Sequence, residues 1–413
     1  MRTATEQDDV RAEGRSFALT TAMRQSLFYA LLYAGVGASL PFIPLWLSRH
    51  GMAPSQISII LAIPLLGRAV TGPLTGIWSD RFERYRSPML ILALTGALAY
   101  GLMLPGRAYG PYAFGVFLAL YCVGYTCINN IGPLLDAMTL QLARAQQFSQ
   151  ASARAWGSGA FVIANVALGI ILQTATTQVV LIWIVCAALG LSFFGRRLLL
   201  PHPRQDRPKA SERRPSRSGG LGPLLRSRGF VVLLIATGCL QAAHGFYYAF
   251  STIIWKDRGF SSSTCGFLWA AAVAGEILFL TFGSRLRHRL GPWKLLIVAS
   301  AVGVLRWTAM MSLAPLWLLW PLQLLHGLTF AAAYIAGLEL VFCLAPKGYE
   351  NLAQTVNSAY TAGLLTGLVT LASGSLFDFA GARAYGAMAL LSLFGLGCAI
   401  WLAANRRSLT AVT

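Results

Sequence analysis

The sequence predicts an all-α integral membrane protein of twelve transmembrane helices, arranged as two six-helix bundles with both termini cytoplasmic. Three observations carry this: an apolar bulk, twelve apolar runs of spanning length, and a basic polar stretch that divides them six and six. Of the 413 residues, 56% are hydrophobic and only 11% charged, with a mean hydropathy of +0.60, a balance too apolar for a water-soluble domain of this length. Crossing the hydrocarbon takes roughly 20 apolar residues in a helix.

In chain order the runs lie at about 24–48, 55–79, 87–105, 111–141, 148–173 and 177–198, then at about 229–256, 263–283, 292–312, 315–343, 352–376 and 382–403. Each is closed by charge or by Pro and Gly clusters. The tail over 1–23 mixes both charge signs and leads into a long run without a cleavage site, so no signal peptide is expected and that run stays as the first helix. Residues 24–198 and 229–403 form the two bundles. Between them 199–228, rich in Pro, Ser, Gly and Arg, reads as a flexible cytoplasmic linker whose bases set topology and touch anionic headgroups. A short cytoplasmic tail, 404–413, closes the chain.

The net charge of +19 is unevenly spread. Roughly 25 of the 33 Lys and Arg fall on the side holding both termini and the linker, and about five on the other, which turns the basic side to the cytoplasm of a cell inner (plasma) membrane. Nucleic acid is excluded as a partner, because its footprint needs bases interleaved with stacking aromatics on one soluble face. The seven cysteines are odd in number and scattered, so they read as small packing residues, without disulfide or metal. No GxSxG, GxxxxGK[ST] or HExxH is present, and His50, His202 and His288 stand in loops without matching ligands. The chain is therefore expected to be no enzyme, and no cofactor is implied.

The halves echo each other. "LWLSRHGMAPSQIS" at 45–58 aligns with "IIWKDRGFSSSTCG" at 253–266, bringing Gly51 onto Gly259 at an offset of 208. A parallel repeat of six helices is how one large class of secondary transporters is built, with the solute site between the halves near the midplane.

Charges inside the runs mark that site. A charge near the bilayer centre costs roughly 2.5 to 3.5 kcal/mol even on lenient scales, so it faces a cavity or a partner. Six such residues are Arg68, Asp136, Arg154, Glu276, Arg306 and Glu339, with His326 of "LQLLHGLTF" a titratable seventh. Glu276 and Arg306 lie equally far from position 291, and Arg306 and His326 equally far from 316, so at about 1.5 Å per residue they form one layer in which Glu276 and Arg306 can pair. Asp136 and Arg154 flank position 145 in the same way and should face each other. Glu339 lies about 20 Å further towards the cytoplasm, at the interface. An imidazole and a cavity carboxylate both exchange protons readily, which makes the layer of Glu276, Arg306 and His326 the candidate for proton coupling. Paired acids and bases at one depth would obstruct a continuous pore, which argues against a channel.

The loop "GIWSDRFERYRSP" resembles the signature of the major facilitator superfamily, with Gly76 and Asp80 followed by Arg81, Arg84 and Arg86, although Glu83 stands at a position usually Gly. The resemblance implies a gate latch there, with Gly76 allowing close backbone packing; the second half keeps Gly283 but has Arg287 in place of the acid. Asp136, Arg154, Glu276, Arg306 and His326 resemble the charged residues of the lactose permease branch. "LPFIPLWL", "LLGRAVTGP", "GPLLDA", "ARAWGSGAF", "LRWTAM" and "LLHGLTF" look closer still to its phenylpropionate permease-like relatives. Against lactose permease, Thr329 replaces a coupling carboxylate, Gln323 a lysine, and helix seven offers only His244 near that position; the sugar-stacking aromatic corresponds to Phe161.

The expected function is proton-coupled symport of a small organic solute, with protons, solute and bilayer as partners and a monomer as the form the fold implies by analogy. If one acid takes a proton, an unpaired Arg154, Arg68 or Arg306 is left to hold a carboxylate. Aromatics of "PFIPLW" and "HGFYYAF", Trp46 and Tyr247 among them, would line an apolar part of the cavity. A small aromatic carboxylate leads; a sugar or nucleoside symporter, or a drug exporter working by antiport, are the alternatives.

Overall fold

The computed structural model describes residues 19–199 and 220–410, and all regular structure among them is helical. Most of the expected tail at 1–23 and of the linker at 199–228, His202 included, lies outside the described residues, as do the last three residues of the C-terminal tail. The first half comprises α1 (Thr21–Arg49), α2 (Pro54–Ser79), α3 (Arg86–Met103), α4 (Ala113–Gln146), α5 (Gln150–Ile171) and α6 (Gln178–Leu198). The second comprises α7 (Arg228–Asp257), α8 (Ser262–Phe282), α9 (Ser284–Met311) and α10 (Leu316–Leu344), then α11 (350–380) and α12 (Tyr385–Ala404).

Eleven segments among the described residues are long and apolar enough to cross a membrane. The last, Glu350–Ala404, runs 55 residues and is interrupted between α11 and α12 by the turn Gly381–Ala384. There Gly381 takes φ 54, a left-handed value that costs glycine nothing and other residues about 1 kcal/mol or more.

The helix starts are local chemistry. The hydroxyls of Thr20, Ser149 and Ser261 accept hydrogen bonds from the amides of Met23, Ser152 and Thr264, satisfying first-turn donors that lack a partner within the helix. Pro54 opens α2 where its missing N–H costs nothing. In the first half α1 packs on α5 and α6, and α3 on α4 and α6; in the second α12 packs on α9 and α7, and α8 on α10.

The halves meet through α2 with α11, α5 with α8, and α1 with α7. Small residues set the closeness, and they lie towards one end. Gly169 of α5 and Gly266 of α8 bring two backbones together, so that a Cβ on Gly169 would come within 2.8 Å of the Ser262 carbonyl. Gly374 of α11 likewise lies against Pro54 and Ser55 of α2, where a Cβ would stand 2.6 Å from backbone. Towards the other end, a Cβ on Gly76 meets nothing within 4 Å among the described residues, so the close backbone packing expected of that glycine is not made here. Asp80 caps α2, and Asp80, Arg81 and Arg84 are exposed.

At the sealed end, Trp46 is fully buried and stacks on His50 at 4.0 Å. The His50 Nδ1 donates to the Trp46 carbonyl at 2.8 Å, and its Nε2 accepts from Gln178 at 3.2 Å. Burial and then the charge of Arg107 hold the His50 pKa below its ordinary value. A base whose folded pKa is depressed stabilises the fold in its neutral form, and that contribution is lost as pH falls from about 6.5 through the folded value. We expect the melting temperature of purified protein to drop between pH 7.5 and 5.5, by less in His50→Gln; an identical pH slope in the two proteins would refute this role for His50.

Candidate functional site

Between the halves lies a cavity of about 360 Å³, bounded by α1 to α4 and α6 on one side and by α7, α10 and α11 on the other. Among its described lining residues, Arg68 is the single charge. The Arg68 side chain is exposed, and it makes no hydrogen bond or ion pair among the described residues. Around it stand Tyr100, Tyr121, Tyr125, Tyr248 and Tyr334 with Phe330, and the amides Asn129, Gln241, Gln354 and Asn357. Arg68 acts electrostatically on Tyr125. The α4 contribution follows from helix geometry: Tyr121, Tyr125 and Asn129 recur every four residues, which puts them on one face.

Asp136 and Arg154 meet as the hairpin spacing requires, with Arg154 NH1 2.7 Å from Asp136 Oδ2. Tyr29 donates its hydroxyl to Asp136 Oδ1 at 2.6 Å, and Arg154 reaches Tyr33 Oη at 3.4 Å. The two side chains are 30% and 52% exposed, so the pair adds little to stability.

Arg306 and His326 also meet, with NH1 3.2 Å from Nδ1. The expected Arg306–Glu276 pair does not form. The Arg306 guanidinium is fully buried, and its donors go to the Leu322 carbonyl (2.8 Å), Thr329 Oγ1 (3.1 Å), Gln323 Oε1 (3.2 Å), His326 Nδ1 and His244 Nε2 (3.5 Å). It lies 4.4 Å from the Trp307 ring centroid and 5.2 Å from that of Tyr247. Every one of these acceptors is neutral, and each of the three guanidinium nitrogens finds at least one, which is what lets a buried cation persist without a carboxylate.

Glu276 follows the point where α8 and α10 cross in backbone contact, Gly275 against Leu324 and Gly327 against Gly275. It makes no hydrogen bond or ion pair among the described residues, and the cation that acts on it electrostatically is Arg154 of the other half. Equal distance from a turn fixes depth along a helix but not rotation about it. Arg306 turns to α7 and α10, and Glu276 turns away from it.

Of the six sequence-predicted substrate residues, five fall outside the cavity. Trp46 seals the end of the first half, and Phe161 is buried where the α5 backbone lies against Gly37 of α1. Tyr247 is buried behind the wall, donating to Gln323 Oε1 at 2.9 Å, while its neighbour Tyr248 faces the cavity. Asp136 and Arg154 do not line it either, and Arg68 does. The tyrosines of α3 and α4 and the amides of α11 were missed. Their signal was a polar stripe at helical spacing in apolar runs: 121, 125 and 129, and 354, 357 or 358, and 361.

The family model described as "MFS_1 like family" matches residues 22–387. The Escherichia coli (strain K12) protein named "Probable 3-phenylpropionic acid transporter" is 27% identical over 372 residues, covering 89% of this chain and 94% of that protein. The maltose permease of Geobacillus stearothermophilus is also 27% identical over 372 residues, covering 88% and 91%. The crystal structure of the nucleoside transporter NupG superposes with a TM-score of 0.78 at 15% identity, over 94% of this chain and 99% of that one, a likeness of fold.

Proposed function

The chain belongs to the MFS_1 like family and is a multi-pass membrane transporter of the major facilitator type, not an enzyme, and from that premise we propose that it imports a small aromatic carboxylate together with a proton. One observation carries the substrate class: a cavity walled by tyrosines whose single charged lining residue among those described is an unpaired Arg68. A guanidinium offers a carboxylate two parallel N–H groups, and aromatic faces accept the rest of such a solute. The likeness to a protein named for 3-phenylpropionic acid supports the same class.

In this reading Glu350–Ala404 crosses the bilayer twice, giving twelve spans in the cell inner membrane, and the basic side with both termini faces the cytoplasm. The end sealed by the glycine contacts is then the outer one. Glu276, which lies next to the α8–α10 crossing, supplies proton coupling, and the Gly76–Arg84 loop latches the halves in the alternate state. A sugar or nucleoside remains the second reading, favoured by the four amides on the cavity wall and the likeness to a maltose permease.

The test is a pulse of solute into a lightly buffered suspension of energy-depleted cells expressing the protein. Phenylpropionate should make the medium alkaline, while phenylpropionamide, lactose and uridine should not. A response to the amide equal to that of the acid overturns the carboxylate reading, and a response to lactose or uridine alone installs the second. Equilibration of labelled phenylpropionate without any pH change removes proton coupling.

A further inference from the structure

Two histidines, not one, face the buried guanidinium, and the hydrogen bonds fix which nitrogen of each carries the proton. An Arg has no acceptor, so a nitrogen that takes a hydrogen bond from it must present a lone pair. His326 Nδ1 stands 3.2 Å from Arg306 NH1 and is therefore bare, leaving the proton on Nε2. His244 is the opposite tautomer: its Nδ1 lies 3.0 Å from the Leu240 carbonyl and 3.3 Å from that of Gln241, so it donates there. Its Nε2 is free to accept from Thr329 Oγ1 at 3.3 Å and from Arg306.

We propose that His244 and His326 hold Arg306 as fixed neutral acceptors and do not carry the coupling proton, which travels on Glu276 alone. This rests on the proton-symport reading above. A proton added to either bare nitrogen would remove an acceptor from Arg306 and set a second cation beside it, in a pocket with no carboxylate among its hydrogen-bond partners. The groups facing His326 are Arg306 from α9, His244 and Tyr247 from α7, and Phe330 on its own helix; none is an anion. Thr329, which accepts from Arg306 and reaches His244, completes the neutral cage.

Glu276 is placed differently. It stands beside the α8–α10 glycine crossing, with Tyr248 of α7 and Arg154 of α5 as the groups that interact with it electrostatically. Its carboxylate takes a proton from water on one side and returns it to water on the other, and no other reactant is consumed. Arg154, already shared with Asp136, is the cation positioned to favour its release.

The experiment compares proton-to-solute ratios and pH profiles of phenylpropionate uptake in His326→Asn, His244→Gln and Glu276→Gln. The Asn oxygen takes the place of His326 Nδ1, and the Gln oxygen that of His244 Nε2. Both histidine variants should transport more slowly, with the wild-type ratio and pH profile. Glu276→Gln should exchange internal for external solute while moving no protons. A histidine variant that exchanges solute but moves no protons overturns the assignment. As a measurement independent of any variant, ¹⁵N NMR of histidine-labelled wild type should show both imidazoles neutral from pH 5 to 8, and titration of either within that range overturns it as well. Wild-type exchange without proton movement would instead retire the symport reading itself.

Discussion

Replacing Arg68 by Ala should weaken uptake of an aromatic carboxylate by about 10- to 100-fold, chiefly as a rise in KM. The size follows from the roughly 1.5–3 kcal/mol that a hydrogen bond to a charged group contributes, at one decade per 1.4 kcal/mol. The cause is specific, because Arg68 makes no hydrogen bond or ion pair among the described residues and its loss should leave the fold untouched. Arg68→Lys keeps the charge but loses the planar fork, so it should recover part of the affinity and no more. The control is an uncharged analogue: if phenylpropionamide is transported at all, its KM should be indifferent to the substitution. Equal losses for acid and amide, or a KM within twofold of wild type in Arg68→Ala, would remove Arg68 from the carboxylate site.

Much of this was legible in the sequence, and what was not has a geometric reason. The apolar runs announce themselves because hydrocarbon demands about 20 apolar residues at a time, and their bounds fall within a few residues of the helices except at the start of α9, where a short polar helix from Ser284 joins the expected run across a kink at Gly291 (φ 65). Asp136 and Arg154 could be paired by arithmetic because a hairpin of adjacent helices constrains them strongly, and both happen to point into the same interface. The same arithmetic failed for Glu276 and Arg306. Depth is read from spacing at 1.5 Å per residue, but each residue also turns the side chain by about 100°, and only packing fixes where the turn begins. Tyr247 and Tyr248 show the consequence at a single step, one sealed behind the wall and the other in the cavity. His244 remained a bystander in the sequence because its role depends on a partner 62 positions away, Arg306, reached only through the fold. What the sequence did hold was the absence of an acid in helix seven at the level of His244, and that absence makes sense once Arg306 is seen to be satisfied by neutral acceptors.

The crossing of α8 and α10 should be the least tolerant point in the second half. A Cβ on Gly327 would run into the Gly275 carbonyl and stand 3.1 Å from the Glu276 amide nitrogen; one on Gly275 would meet the Leu324 backbone. These obstacles are main chain on both sides, so no side chain can swing away, and the helices must separate. Overpacking of this kind costs about 1–3 kcal/mol and sometimes more. We expect Gly327→Val and Gly275→Val to lower the melting temperature of the purified protein by several degrees. Gly397→Ala, on a face of α12 where a Cβ meets nothing within 4 Å, should leave it unchanged or raise it slightly. Function should fall further than stability. Helices pushed apart here carry Glu276 away from the other half and draw His326 and Thr329 off Arg306, so the proposed proton site and the neutral cage are disturbed together by a single wedge. Gly327→Ala, the smallest such wedge, should therefore lose proton-coupled uptake at temperatures where it remains folded. A Gly327→Ala protein that transports at the wild-type rate would show that the two helices slide freely at this point, and that Glu276 does not depend on the crossing for its position.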